Sequence, residues 1–189
     1  MSTVLTQTGN LALPGGFRRE ELYETVRGKR VEAPLMGAQE SGIANLLGRY
    51  IWLFWGDSPQ GIVAIEVLFR LDSAGDVELR PDAAVVSFER WPQRVIPPGN
   101  AWAVVPNLAV EVISPTNFAL DVQTKIEDYF THGVNLVWVI YPPHRKIYVY
   151  EGVKKVQILD SNDTLDGGTV LPGFKLAVSK LFEVLPQQP

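Results

Sequence analysis

The sequence predicts a mixed α/β (α+β) domain in which helices pack on a central mixed sheet. Two segments, 39–55 and 118–132, repeat apolar residues at spacings of three and four, as amphipathic helices do. Two others, 107–113 and 136–141, are apolar on both faces apart from one glutamate, which is typical of strands in the middle of a sheet. Since shorter β-branched segments stand between and after these four, the order of elements indicates helices that flank one central sheet.

Turn residues divide the first half of the chain. Arg27-Gly28 marks a hairpin turn, and Gly56-Asp57-Ser58-Pro59 ends the first long helix. The apolar, β-branched segment 61–71 precedes turn residues at 72–76. The predicted order is a short helix at 17–24, a hairpin at 25–33, a helix at 39–55, and strands at 61–71 and 81–88.

The second half begins with a segment, 90–101, that holds three prolines and is predicted as a long loop. Thr116 or Asn117 is the predicted N-cap of the next helix, and Gly133 is its stop. The predicted elements are a strand at 107–113, a helix at 118–132, a strand at 136–141, a hairpin of 145–150 and 154–159 around Glu151-Gly152, a turn at 166–168, a strand at 175–178 and a last short turn to Leu185.

The length of 189 residues fits one domain with a core that needs no crosslinks. We expect residues 1–16 to form a loose N-terminal segment, residues 17–185 a single domain and residues 186–189 a frayed tail. The first residues lack the basic start and apolar core of an export signal, and no apolar run reaches the roughly 18 residues of a membrane helix. The sequence therefore predicts a cytoplasmic protein without a membrane span.

Composition excludes several kinds of chemistry. The chain has no cysteine, which rules out disulfides, thiolate metal sites and a cysteine nucleophile. Its 17 basic and 21 acidic residues give a net charge of −4, so an overall basic footprint for nucleic acid is missing. A local basic patch remains compatible with this balance.

Two carboxylates stand in apolar strands. Asp82 opens the strand at 81–88, and Glu111 lies inside the strand at 107–113, on the face of Ala109 and Ile113. A buried carboxylate is costly unless it is paired, hydrogen-bonded or bound to a metal, and oxygen ligands of this kind suit Mg²⁺ or Mn²⁺. Taken singly, a Pro-Asp pair is more often a turn device and a lone strand glutamate often faces solvent at an edge.

Lys125 is the third candidate. It falls at the edge of the apolar stripe that Val122, Ile126, Tyr129 and Phe130 form on the predicted helix. Its ammonium could reach a site at the end of the strands and stabilise a phosphoryl transition state. The alternative is a surface lysine whose stem covers apolar side chains.

Several motifs share one order along the chain. They are RPDAAVV at 80–86, LAVEVISPT at 108–116, the residues Asp121, Lys125, Tyr129 and Gly133, and VWVIYP at 137–142. This series resembles the Uma2 family (domain of unknown function 820), which is common in cyanobacteria and is assigned to the PD-(D/E)XK nuclease superfamily. The similarity extends to YETVRGKRVEAP at 23–34 and LPGF at 171–174. The resemblance implies a restriction-endonuclease-like core with a central mixed sheet flanked by helices.

The resemblance also assigns roles. It implies that Asp82 and Glu111 hold Mg²⁺ or Mn²⁺ and that Lys125 is the catalytic lysine. The usual motif has its lysine two residues after the glutamate, where this chain has Ile113. Similar proteins carry the lysine on the following helix, at the position of Lys125.

Other positions match the family less closely. Family members often have histidine where this chain has Glu40, and aspartate where it has Arg27. Glu40 could supply an acidic ligand or merely cap its helix. Glu24, Glu32 and Tyr129 match family positions with roles that the sequence leaves open.

The resemblance implies a Mg²⁺-dependent endonuclease that hydrolyses DNA. We expect Arg80, Arg90 and Arg94 to contribute to a local positive rim for DNA, and we expect a homodimer. One alternative is a catalytically inactive nuclease-fold module for binding or assembly. Another is a purely structural domain, for which Asp82→Ala and Glu111→Ala should stabilise the fold by relieving like-charge repulsion.

Overall fold

The computed structural model describes residues 22–33, 35–115 and 117–186. The helices in this part of the chain are α1 (Ala38–Trp55), α2 (Ala119–Thr131) and α3 (Val178–Phe182), and a 3₁₀ turn spans Pro142–His144. The strands are β1 (Tyr23–Val26), β2 (Lys29–Glu32), β3 (Gly61–Ile65), β4 (Leu68–Arg70), β5 (Glu78–Leu79), β6 (Ala83–Ser87), β7 (Ala101–Trp102), β8 (Leu108–Val112), β9 (Leu136–Tyr141), β10 (Lys146–Gly152), β11 (Lys155–Leu159), β12 (Thr164–Asp166) and β13 (Lys175–Ala177).

A six-stranded mixed sheet forms the centre of the fold. Its strand order is β11-β10-β9-β8-β6-β3, and only the central pair β8–β9 is parallel. All five residues of β8 are buried, as the apolar pattern predicts. The predicted mixed architecture is therefore confirmed.

The two faces of this sheet bury separate cores. Alternate residues of β8, among them Leu108 and Val110, face α1, α3 and the β12–β13 hairpin. Ala109 faces the other way, toward Ile126 and Tyr129 of α2 and a small five-stranded sheet of order β2-β1-β5-β4-β7. Because side chains alternate along a strand, Glu111 points to the same side as Ala109, as predicted.

The long helices and buried strands lie within one residue of their predicted bounds, but the N-cap of α2 is neither of the two predicted residues. Phe118 occupies the N-cap position without a side-chain cap, and Asn117 instead accepts a hydrogen bond from the Ser114 N–H at 2.7 Å. The alternative cap, Thr116, lies outside the described residues. Gly133, with φ of +93°, follows the helix end and confirms the predicted stop.

The first predicted helix is wrong where the structure describes it. Residues 17–21 lie outside the described residues, but Tyr23 and Glu24 belong to β1, which pairs with β2. The hairpin turns at Arg27 and Gly28, whose φ angles are +51° and +73°. The turn was predicted correctly, and the hairpin begins two residues earlier than predicted because Tyr23 pairs with Glu32.

The predicted strand at 61–71 is two strands in two different sheets. β3 pairs with β6 in the six-stranded sheet, whereas β4 pairs with β5 and β7 in the five-stranded sheet. Glu66, between them, adopts a left-handed φ of +52°, and its N–H donates to the Asp82 carbonyl at 3.2 Å. An unbroken apolar run gives no sign of this change of direction.

Smaller differences concern loops. The short strands β5 and β7 were not predicted, and the hairpin of β10 and β11 turns at Val153-Lys154, two residues later than predicted. The proline-containing loop packs down on the domain, where the rings of Trp91 and Trp102 meet edge to face at 5.1 Å. The predicted N-terminal segment, 1–16, and most of the tail, 187–189, lie outside the described residues. None of the helices in the described part is long and apolar enough to cross a membrane.

Candidate active site

A cleft of about 620 Å³ opens beside the ends of β6 and β8. The β1–β2 hairpin, the start of α1 and one side of α2 form its walls. Its charged lining residues are Glu24, Arg27, Glu32, Glu40, Glu66, Arg80, Asp82, Glu111, Asp121, Lys125 and Asp128. Acidic side chains outnumber basic ones here, so the cleft is a place where a cation is favoured.

Asp82 and Glu111 lie next to each other because their strands are paired. Ala83, directly after Asp82, is the register partner of Val110, directly before Glu111. The Val112 N–H donates a hydrogen bond to Oδ2 of Asp82, which fixes this carboxylate against β8. Residues that are distant in sequence therefore meet through the antiparallel register of β6 and β8.

Lys125 of α2 completes the predicted juxtaposition. Its Nζ lies 3.3 Å from Oε2 of Glu111 and 2.8 Å from Oε1 of Glu24. The lysine side chain is largely buried, and its position one turn before Tyr129 points it toward the sheet. Asp82, Glu111 and Lys125 thus occupy one site, as the sequence predicts.

Two further groups hold the glutamates in place. The Tyr129 hydroxyl, which is fully buried, donates to Oε1 of Glu111 at 2.6 Å. The main-chain N–H of Arg80 donates to Oε1 of Glu24 at 2.7 Å. Glu24 of β1, Asp82 just before β6 and Glu111 of β8 form what we call the acidic cluster.

The carboxylates of the acidic cluster are held at an electrostatic cost. Burial, with repulsion from Glu111 as the second cause, raises the pKa of Asp82 to about 7, although the Val112 N–H and Lys125 oppose the shift. Burial likewise raises the pKa of Glu111, against the attraction of Lys125. Perturbed carboxylates that share one cleft are characteristic of functional sites.

Lys125 and Tyr129 respond to the same cluster. Burial alone would lower the pKa of Lys125, but attraction to Glu111 and Glu24 outweighs it and the pKa is raised. Burial, followed by the nearby glutamates, raises the pKa of Tyr129 well above its ordinary value. Lys125 is thus a fixed positive charge and Tyr129 a neutral hydrogen-bond donor.

The remaining predicted residues are distributed unevenly. Glu32 and Glu40 line the cleft, with Glu40 buried against Gly37 at the start of α1. Arg80 also lines it and donates from Nη1 to the Glu66 carbonyl at 2.6 Å. Its Nε is buried and has no hydrogen-bond partner among the described residues.

Arg90 and Arg94 do not border this cleft. Arg90 follows the opposite end of β6, and its guanidinium donates to three main-chain carbonyls and one side-chain amide. Arg94 lies over the ring of Phe88, with 3.7 Å between its Cζ and the ring centre. The structure therefore does not bring these two arginines to the cleft with Arg80, and their donors and faces are used within the fold.

Four charged residues of the lining were not predicted as site residues: Arg27, Glu66, Asp121 and Asp128. Arg27 stands in the hairpin turn beside the cleft. Burial raises the pKa of Asp128, and attraction to Arg27 opposes part of this shift. The available signal for Arg27 was its position before Gly28, where family members often carry aspartate. Glu66 had no signal, because it lies inside the segment that the pattern predicts as one strand.

A hard divalent ion at this site would take only a few of its ligands from the protein. Among the described residues, no three histidine, aspartate or glutamate side chains are grouped so that they could hold one metal ion. Mg²⁺, however, is often bound by only one or two carboxylates together with water and substrate phosphate. Asp82 and Glu111 meet that requirement, and a cation bound by them would offset the burial and the repulsion from Glu111 that raise the pKa of Asp82.

The fold matches that of a protein of known structure. The structure is similar to the crystal structure of "a putative nuclease belonging to DUF820" from Anabaena variabilis ATCC 29413. The TM-score is 0.72, the sequences are 21% identical, and the match covers 85% of this chain and 89% of the other. The restriction-endonuclease-like core predicted from the sequence is thereby confirmed.

The family follows from the sequence match. Residues 10–179 match the model of the Uma2 family, described as "Putative restriction endonuclease". The chain therefore belongs to the Uma2 family, as its motifs indicated. No curated protein matches the chain at a significant level.

Proposed function

We propose that this chain is a metal-dependent endonuclease that hydrolyses DNA phosphodiester bonds. The observation that carries the proposal is the meeting of Asp82, Glu111 and Lys125 in one cleft of a nuclease fold. These are two oxygen ligands for a cation and one ammonium beside them. Such a set suits phosphoryl chemistry without histidine, and the chain has only two histidines.

Asp82 and Glu111 would hold Mg²⁺ or Mn²⁺, with their orientations set by the Val112 N–H and the Tyr129 hydroxyl. When bound, the ion would activate a water molecule and offset negative charge on the phosphate. Lys125 contributes a positive charge that Glu24 keeps beside the reacting phosphate. Because its pKa is raised, Lys125 acts by donating hydrogen bonds and charge rather than by removing a proton.

The basic residues that line the cleft are proposed to bind the DNA backbone. Arg27 and Arg80 lie in its wall. Phosphate binding by such residues gives affinity that falls as salt rises. With the acidic cluster close by, DNA binding at this site should also depend on the divalent ion.

Cleavage of supercoiled plasmid tests the proposal. The wild-type protein is incubated with plasmid and Mg²⁺ or Mn²⁺ beside Asp82→Ala and Lys125→Ala, and nicking should fall by about two to three orders of magnitude in both variants. Glu127→Gln, which changes an exposed acid on the same helix as Lys125, is the matched control and should nick like the wild type. Equal nicking by all four proteins would indicate a contaminating nuclease and overturn the proposal.

A second candidate is an inactive nuclease-fold module for binding or assembly. It is favoured by the finding that no described group of three metal-ligating side chains is present and by Ile113 at the usual lysine position. Isothermal titration with Mn²⁺ separates the two candidates. Binding by the wild type that is lost in Glu111→Ala supports the enzyme, whereas no binding by either protein supports the inactive module.

A further inference from the structure

Strand β11 is the outer strand of the six-stranded sheet, and within the described residues nothing pairs with its outer edge. Residues 155–158 are exposed, and the exposed fractions of Val156 and Ile158 are 46% and 51%. A free edge presents a row of main-chain N–H and C=O groups to any other strand, so proteins usually protect it with central charges, proline or a cover. The centre of β11 carries none of these protections.

The two apolar side chains continue an aromatic strip on one face of the sheet. Val156 lies opposite Tyr150, and Ile158 lies opposite Tyr148. Directly opposed residues of an antiparallel pair share a face, so these four side chains stand on the same side. Tyr148 in turn contacts Tyr141, with ring centres 4.8 Å apart. The strip therefore runs across β9 and β10 and ends at a bare apolar edge.

A second copy of β11 matches this edge in one register. A two-fold axis perpendicular to the sheet pairs the strand with itself in antiparallel orientation and keeps each face continuous. With the axis at Gln157, Val156 lies opposite the partner's Ile158, and Lys154 lies opposite the partner's Asp160. Two apolar pairs at the centre are then flanked by two pairs of opposite charge.

Neighbouring registers lack this complementarity. With the axis at Val156, Lys154 would lie opposite the partner's Ile158, and with the axis at Ile158, Val156 would lie opposite the partner's Asp160. Each of these breaks the apolar centre and loses the pairs of opposite charge on this face. On the other face, the register at Gln157 places Lys155 opposite the partner's Leu159, so the face of Val156 and Ile158 decides the choice. A shift by an odd number of residues would mix the two faces of the sheet.

We propose that this chain forms a homodimer in which two β11 strands pair antiparallel across a two-fold axis at Gln157. The two six-stranded sheets then form one continuous sheet of twelve strands. The proposal assigns an interface to the homodimer that the sequence led us to expect. It does not depend on nuclease activity, because β11 contributes no residue to the cleft.

Sedimentation equilibrium of the full chain tests the interface by charge exchange. The wild type should approach twice the 21.0 kDa of one chain. Lys154→Asp should raise the dimer dissociation constant about tenfold, since both flanking pairs become pairs of carboxylates. The double variant Lys154→Asp with Asp160→Lys should regain the wild-type constant. Asp160 also accepts a hydrogen bond from the Asn162 N–H at 2.8 Å, so restoration, rather than the effect of Asp160→Lys alone, is the decisive measurement.

A second pair of variants tests the apolar centre. Ile158→Lys should give a monomer, because a lysine then lies opposite Val156 in each of the two central pairs. Leu53→Lys makes the same kind of change at a 64% exposed position of α1 and should leave the dimer intact. A wild-type protein that is monomeric at all concentrations, or a dimer that Ile158→Lys leaves unchanged, would overturn the interface. Failure of the double variant to restore pairing would also reject the register at Gln157.

Discussion

The two ends of strand β6 hold buried charge in opposite ways. At the end where β6 begins, Asp82 receives one main-chain hydrogen bond and faces the like charge of Glu111. Beyond the other end, the guanidinium of Arg90 donates to the carbonyls of Val105, Pro106 and Gly133 and to the side chain of Asn135, at distances of 2.7 to 3.1 Å. One end is electrostatically strained and the other is satisfied.

The two ends show how a functional charge differs from a structural one. A charged group whose partners all lie within the protein stabilises the fold and has little left for a ligand. Carboxylates that repel each other in a cleft cost stability, and a bound cation relieves that cost. The acidic cluster is therefore the candidate site, and Arg90 is a structural clamp between the loops that precede β8 and β9.

Removal of the Arg90 clamp should give the largest effect on stability. Arg90→Met leaves several main-chain carbonyls without their charged donor, so the free energy of unfolding should fall by about 3 kcal/mol. Arg94→Met is the matched control and should cost about 0.5 kcal/mol, because its guanidinium only covers the ring of Phe88. Urea unfolding measures both. An unchanged urea midpoint for Arg90→Met, together with weaker DNA binding, would mean that Arg90 binds a ligand and does not stabilise the fold.

Much of the fold could be predicted because its main segments carry clear patterns. The helices α1 and α2 repeat apolar residues over 18 and 13 residues, and β8 and β9 are short apolar runs bounded by turn residues, as buried strands are. The short strands β5 and β7 have two residues each, too few for any period to appear. The separation of β3 from β4 depends on the left-handed backbone at Glu66, a conformation that glutamate rarely adopts and that no local signal marks.

The site could be predicted in part for a related reason. Asp82 and Glu111 stood out because carboxylates in apolar strands are costly, and Lys125 because of its place on the helix stripe. The sequence could not show that Arg90 lies away from the cleft, because its partners are mostly main-chain carbonyls, which every residue possesses and which a sequence does not distinguish. Glu24 was noted without a role, since only the pairing of the β1 hairpin with β5 carries it to Lys125.

The strained end of β6 should become more stable when its charge is removed. Asp82→Asn keeps an acceptor for the Val112 N–H and should raise the melting temperature in metal-free buffer at pH 8 by about 4 °C. The pKa of Asp82 is about 7 in the folded protein against 3.8 for the free group. Between these values the folded protein binds one proton more than the unfolded chain does. The stability of the wild type therefore falls as pH rises from about 4 to 7. The gain from Asp82→Asn should therefore vanish near pH 4.

Thermal melts across this pH range, with and without Mg²⁺, check the prediction. Both a metal site and a purely structural domain predict the gain at pH 8, but only a metal site predicts that Mg²⁺ stabilises the wild type and leaves Asp82→Asn unchanged. A gain that is equal at pH 4 and pH 8 would mean that Asp82 is not the source of the strain.

The smallest effect is expected for Tyr129→Phe, which separates packing from positioning within the same site. The change removes the 2.6 Å hydrogen bond to Glu111 and keeps the ring, so the free energy of unfolding should fall by about 1 kcal/mol. Because groups that orient a metal-binding carboxylate commonly contribute tenfold or more to affinity, Mn²⁺ binding measured by calorimetry should weaken by about tenfold. Tyr50→Phe on α1 is the matched control and should change neither quantity. A loss of stability with unchanged Mn²⁺ affinity would show that Tyr129 only fills the core beneath the cleft, and that Lys125 alone sets the orientation of Glu111.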